Sequence, residues 1–332
     1  MRMRLQREIA LRLSLSVVLA ALAGSMTESS WSQAYPTRPI RMVVAQPAGG
    51  TMDAHARAVS EYLERQLGQN IVVDNRGGAN GIIAGDTVAK AAPDGHTILY
   101  TTNSTINNQI VHRKIPFDVM RDFAPITELA SLPGYLVLAN PQVPARSIVE
   151  LIALSKDARS PVNFGSGGFG NSQHFAGELF NVRSGAKLAH VPYKGAGQMV
   201  IALLGNEVQI GFAPPATVIP HIKAGRLRAL AYTGAKRWPV MPDVPAVAET
   251  VPGYAFEAAW HGMFAPAATP AAIVARIQAE VAKALQTPKM RGYLESGGYV
   301  VIGSTPAEFR KFVAADLKNI AGIARMANIN PE

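Results

Sequence analysis

Two stretches in which strand-like apolar runs alternate with helix-like segments constrain the fold of this chain more than any other feature. In the first, residues 40–45 read as a buried strand, 46–53 as the turn after it, and the segment to about Leu67 as a helix. Ala56, Val59, Tyr62, Leu63 and Gln66 are spaced for one face of that helix. A strand over 70–74, a glycine-rich bend over 75–81, a helix to Ala91 and a strand over 97–101 complete a β-α-β-α-β run. The second alternation starts at Val162 with a strand, a glycine loop and a helix, then a strand over 187–191 and a helix over 195–204. Strands over 208–212 and 228–232 follow, with a helix near 216–224 between them. Such alternation implies an α/β fold with parallel sheets and right-handed crossovers, and ligands on such sheets sit at the carboxyl ends of the strands. Ala48, Gly49, Gly50 and Thr51 fall at one such end, and Asn103 and Ser104 at another.

At 332 residues the chain is long for one core, so two domains are the natural division. Residues 116–125 read as a loop. Residues 126–139 hold two apolar runs broken by Pro133 and Gly134, read as a strand passing between domains, and 260–266 reads as a return strand. Ser147 with Glu150, and Thr305 with Glu308, have capping-box spacing and open helices.

The second alternation contains Gly165-Ser-Gly-Gly-Phe-Gly-Asn-Ser-Gln-His174, a glycine bend between a strand and a helix. Successive N–H groups of such a bend can converge into an anion nest, and a helix start adds free donors and partial positive charge. Ser166, Gly167, Gly168, Phe169, Gly170 and Asn171 are therefore candidates for holding a carboxylate. The same residues satisfy G-x-G-x-x-G, which makes a dinucleotide-dependent enzyme the rival reading. That device also wants a carboxylate about 20 positions on, and residues 185–191 offer none. A G-x-S-x-G elbow is missing, and the seven histidines form no metal-ligand spacing, so neither a hydrolase nor a metal site is expected. His174, one turn into the helix, could donate to a bound carboxylate. Lys194, at a strand end after Tyr193, could face the same cleft. Asp53 reads first as a cap or turn-fixing group.

Arg2, Arg4 and Arg7 precede a short apolar run over 13–23, and Ser32 and Ala34 flank Gln33 as small residues at a cleavage site. This is the pattern of an export signal over residues 1–34, cleaved after Ala34, and the run is short for a membrane span. The chain has no cysteine, which excludes disulfides and thiolate chemistry. Its net charge of +9 is spread without any basic block, which argues against a nucleic-acid partner.

Taken in order, several motifs resemble the solute receptors of tripartite tricarboxylate transporters, the Bug receptors. They are Pro47-Ala-Gly-Gly-Thr-Met-Asp53, Gly78-Ala-Asn-Gly81, Ala92-Pro-Asp-Gly-His-Thr97, Asp122-Phe-Ala-Pro-Ile126, the glycine stretch to His174, His190-Val-Pro-Tyr-Lys-Gly195, Leu227-Arg-Ala-Leu-Ala231 and Pro242-Asp-Val-Pro245. The resemblance covers nearly all of the chain from Tyr35. It implies a periplasmic two-domain binding protein (type II-like), each domain a mainly parallel sheet flanked by helices, joined by two crossing strands and closing by hinge motion. Domain 1 would comprise residues 35–135 and 258–332, and domain 2 residues 136–257. It further implies a monomeric receptor rather than an enzyme, without cofactor, that takes a small organic carboxylate and hands it to membrane permease subunits or to a sensor. The carboxylate would be held by backbone amides of the two glycine loops. The sequence departs from the family at Ala45-Gln46 and near Ala213, where many relatives carry aspartate or asparagine, so Ala213 bears on ligand choice.

Overall fold

The computed structural model describes residues 35–157 and 159–331. The export signal expected over residues 1–34 lies outside the described residues. The first alternation forms β1 (Ile40–Val44), α1 (Thr51–Leu67), β2 (Ile71–Asn75), α2 (Ile82–Ala89) and β3 (Thr97–Thr102), and β3 runs directly into α3 (Asn103–Val111). A short α4 (Val119–Asp122), β4 (Phe123–Leu132) and β5 (Leu136–Ala139) follow. The middle of the chain holds α5 (Ile148–Leu154), β6 (Asn163–Ser166), α6 (Ser172–Ser184), β7 (Ala189–Pro192) and α7 (Ala196–Leu204). Next come β8 (Ile210–Ala213), α8 (Pro215–Lys223) and β9 (Arg228–Tyr232). The chain ends with β10 (Ala259–Pro266), α9 (Ala271–Gln286), α10 (Pro288–Ser296), β11 (Val300–Val301) and α11 (Pro306–Met326).

These elements build two sheets, one in the order β11-β4-β10-β3-β1-β2 and the other β7-β6-β8-β5-β9. In the first, β1 pairs in parallel with β2 and β3, while β10 runs antiparallel to both β3 and β4. In the second, β6 is parallel to β7 and β8, and β5 is antiparallel to β8 and β9. Each sheet is thus mixed: most strands share one direction, the short β11 runs against β4, and β10 and β5 run against both of their neighbours. Those two are the strands by which the chain enters one sheet from the other, so their reversal follows from the crossing. The Met42, Val43 and Val44 side chains are fully buried, as expected of a strand covered on both faces.

At the crossing, Tyr135 N donates to Thr233 Oγ1 (2.7 Å) and Thr233 N to Tyr135 O (2.9 Å). Phe256 N donates to Thr233 O and Ala258 N to Leu132 O, both at 2.9 Å. The two connecting segments therefore lie side by side.

The structure departs from the sequence reading in two places. Residues 116–125 are not a plain loop: Asp118 Oδ1 accepts from Met120 N (3.0 Å) and Arg121 N (2.9 Å), starting α4, and β4 already begins at Phe123. Pro125 fits inside β4 because β11 pairs only with Ser131 and Ala130, leaving an edge at Pro125 where no donor is required. On α1, Gln66 is exposed and Leu67 takes the buried position after Leu63.

Candidate functional site

The carboxyl ends of β1, β2 and β3 carry contiguous loops. Gly77 packs on Pro47, and Asn80 Nδ2 donates to Ser104 O (3.1 Å) and Asn108 Oδ1 (3.2 Å) while Asn108 Nδ2 returns a bond to Asn80 O (3.0 Å). Ala48, Gly49 and Thr51 are exposed on this rim. Gly49 N donates to Asp53 Oδ2 (2.9 Å), and Arg57 pairs with the same carboxylate. The Gly49 amide first, then Arg57, holds the Asp53 carboxyl below its usual range. Asp53 is 5 % exposed and fixes the glycine turn. The start of α1 has no side-chain cap at Gly50, so the N–H groups of Thr51, Met52 and Asp53 remain donors without a protein acceptor among the described residues. At β3, Thr102 caps α3 by accepting from Ser104 N (3.3 Å).

In the second sheet the glycine loop runs from the end of β6 to α6. Several of its amides are engaged inside the domain. Gly167 N donates to Gln173 Oε1 (2.7 Å), Gly168 N to Ser166 Oγ (3.1 Å) and Gly170 N to His174 Nδ1 (3.1 Å). Asn171 caps α6 by accepting from His174 N (3.0 Å). Phe169 N, Ser172 N and Gln173 N have no protein acceptor among the described residues.

His174 is 3 % exposed and stacks on His190 with ring centroids 3.9 Å apart, and His190 Nε2 lies 2.6 Å from Ser166 Oγ. Burial pushes His174 down to about 4, and burial plus repulsion from His174 pushes His190 down to about 3. Both rings are therefore neutral near pH 7, which lets His174 Nδ1 accept the Gly170 N–H. His174 thus positions the loop. Lys194 is exposed beside the loop, and Tyr193, partly buried, packs on the core of the second sheet, with Tyr193 N donating to Ser166 O (2.9 Å). Ala213 is fully buried in that same core with Leu136 and Val218.

The two groups of loops meet through α3. Ser172 Oγ donates to Asn103 Oδ1 (2.9 Å), and Val111 lies against Gly170. Asn103 Nδ2 also reaches Ala258 O of the crossing segment (3.5 Å). No hydrogen bond among the described residues joins 47–51 to 166–171. The supporting residues Gln173, His190, Asn80 and Asn108 were not candidates from sequence; a polar pair at 173–174 behind a glycine bend, and adjacent asparagines inside α3, are the signals that mark them. A cavity of about 560 Å3 lined by Tyr62, Met290 and Tyr293 opens further along α1, away from these loops.

Comparison with known proteins bears on the family and the fold. The model of the tripartite tricarboxylate transporter family receptor matches residues 55–329. Protein BugT of Bordetella pertussis is 34% identical over 310 residues, covering 93% of this chain and 94% of its own. The solved structure of R. palustris Rpa4515 with adipate is 32% identical, with a TM-score of 0.82 over 90% of this chain and 100% of the other. MatC from Rhodopseudomonas palustris with bound malate is 29% identical, with a TM-score of 0.79 over 87% of this chain and 99% of the other. With two mixed α/β sheets, paired crossing segments and a family match spanning most of its length, the chain belongs to the tripartite tricarboxylate transporter receptors and is a periplasmic-type solute-binding protein of the Bug group.

Proposed function

We propose that this receptor captures a small organic carboxylate between the two sheets, in domains bounded at 35–135 with 258–332 and at 136–257, and delivers it to the permease subunits of a tripartite transporter. The observation that carries this reading is the pair of helix starts at carboxyl strand ends. The free N–H groups of Thr51–Asp53 on one side, and of Phe169, Ser172 and Gln173 on the other, are donors without protein acceptors among the described residues. Oriented amides favour a negative group, and closure that excludes water strengthens them. Adipate and malate in the two structural relatives share the carboxylate chemistry that such donors suit. Ala48, Gly50, Thr51, Asn103, Ser104 and Phe169 would line the ligand, with Lys194 at the rim. Asp53, His174 and Gly49 hold the loops in shape. Residues 1–34 would direct export and be removed.

A thermal-shift screen of the chain from Tyr35 tests the proposal against adipate, malate, tricarboxylates, aromatic acids, amino acids and NAD. A ligand at about 100 times its Kd stabilises by roughly 2.7 kcal/mol. Shifts with carboxylates are expected; a shift with NAD alone would replace this reading with the dinucleotide one.

A further inference from the structure

Asn107 is fully buried, and among the described residues neither its Oδ1 nor its Nδ2 has a hydrogen-bond partner. Buried amides are nearly always paired, so this residue needs an explanation. It lies on α3 midway between Asn103 and Val111, and positions four apart share a helix face. Asn103 Oδ1 accepts from Ser172 at the start of α6, and Val111 packs against Gly170 in the loop before it. The face that carries Asn107 is therefore the one α3 presents to the other domain. Asn108 next to it points elsewhere, toward Asn80.

We infer that Asn107 sets the ligand affinity of the cleft by making the approach of the two domains costly. When the domains part, water can satisfy its amide; when they meet as here, that water is stripped and no protein group replaces it. A receptor built this way resists closing on nothing, and part of the ligand's binding free energy goes into closure. Asn107 acts as a positioning residue: it tunes the balance between open and closed forms without touching the ligand. The inference rests on the two-domain receptor reading.

Its test exploits the absence of cysteine from the chain. Spin labels at Val72→Cys on β2 and Ile201→Cys on α7, both exposed, report the distance between domains without background labelling. Asn107→Leu matches the volume and removes the amide, whereas Asn107→Asp leaves a group still harder to bury. In the unliganded protein the leucine variant is expected to shift the distance distribution toward the closed form and the aspartate variant away from it. By calorimetry with adipate and with malate as probes, the leucine variant is expected to bind roughly tenfold tighter. Identical distance distributions in all three proteins overturn the inference. Weaker binding by a leucine variant with an unchanged circular dichroism spectrum also overturns it, and makes Asn107 a direct ligand contact. Should neither acid bind the parent protein, the proposed ligand class fails while the distance measurement still decides the role of Asn107.

Discussion

Gly170 has φ +73°, a left-handed conformation in which a side chain is strained, and a Cβ there would run into Val111 of the other domain. The two penalties separate. The strain acts within the loop and is roughly 1–2 kcal/mol for a non-glycine residue, whereas the overlap with Val111 acts only when the domains approach. Gly170→Ala is expected to lower thermal stability modestly and to weaken carboxylate binding by more than its strain alone implies. Val111→Ala in the same protein should restore part of the affinity and none of the loop strain, read as a coupling in a double-mutant cycle. No coupling would mean that the contact is absent from the binding-competent form. Gly168, at φ +144°, would place a Cβ in ordinary contact with Tyr193 O (3.6 Å), so there conformation alone favours glycine.

The strand–loop–helix of β6 and α6 was legible in the sequence as an element, because glycines between an apolar run and a helical period have few other uses. Its internal wiring was not. His174 was a candidate ligand donor by position, one turn behind the bend; its surroundings include His190, brought beside it by the parallel register that pairs Phe164 with His190. No spacing within one element encodes that register. The Asn80–Asn108 pair is hidden for the same reason. The stacked imidazoles carry a pH prediction. Both have pKa values depressed below the unfolded 6.5, His174 to about 4 and His190 to about 3. Above pH 6.5 neither costs anything; as pH falls from 6.5 toward those values the unfolded chain takes up protons that the folded one refuses, so stability is lost. Each such histidine contributes about 1.4 kcal/mol per pH unit in that window. His55, pushed down to about 4 by burial in the first domain, adds to the slope. Glu178 lies 3.9 Å from His174 Nε2, and burial raises its own carboxyl above the usual range. Glu128, raised to about 7 by burial and neighbouring carboxyls, works in the opposite sense, its protonation favouring the folded form as pH falls from 7 to 4.5. His174→Asn keeps an acceptor near the position of Nδ1 and removes one titration. Urea unfolding at a series of pH values should show a shallower decline between 6.5 and 4.5 than in the parent; an equal slope would place the proton uptake elsewhere.

Across the whole molecule, two α/β layers and a crossing between them followed from the twin alternation and the Pro133-Gly134 break, whereas the direction of β5 and β10 required knowing which sheet each strand joins. The crossing also exposes a residue that sequence periodicity cannot single out. Thr233 is fully buried; its Oγ1 accepts from Tyr135 N (2.7 Å) and donates to Phe256 O (3.1 Å). One hydroxyl thus ties the outgoing segment to the returning one, where the chain crosses between the two sheets. Thr233→Val preserves shape and removes both bonds, leaving a buried N–H without its acceptor and a carbonyl with one partner fewer. An unsatisfied buried group costs about 1–3 kcal/mol, so a loss of that order in unfolding free energy is expected. Thr233→Ser keeps the hydroxyl and should recover most of it, apart from the small term for the lost methyl. The consequence for function is separable from stability. If the bonds hold the two segments in register while the hinge moves, the valine variant should also broaden the interdomain distance distribution measured between labels on β2 and α7. A variant that loses stability but keeps the parent distribution would show that Thr233 secures the fold and leaves the hinge to the backbone pairs Phe256–Thr233 and Ala258–Leu132.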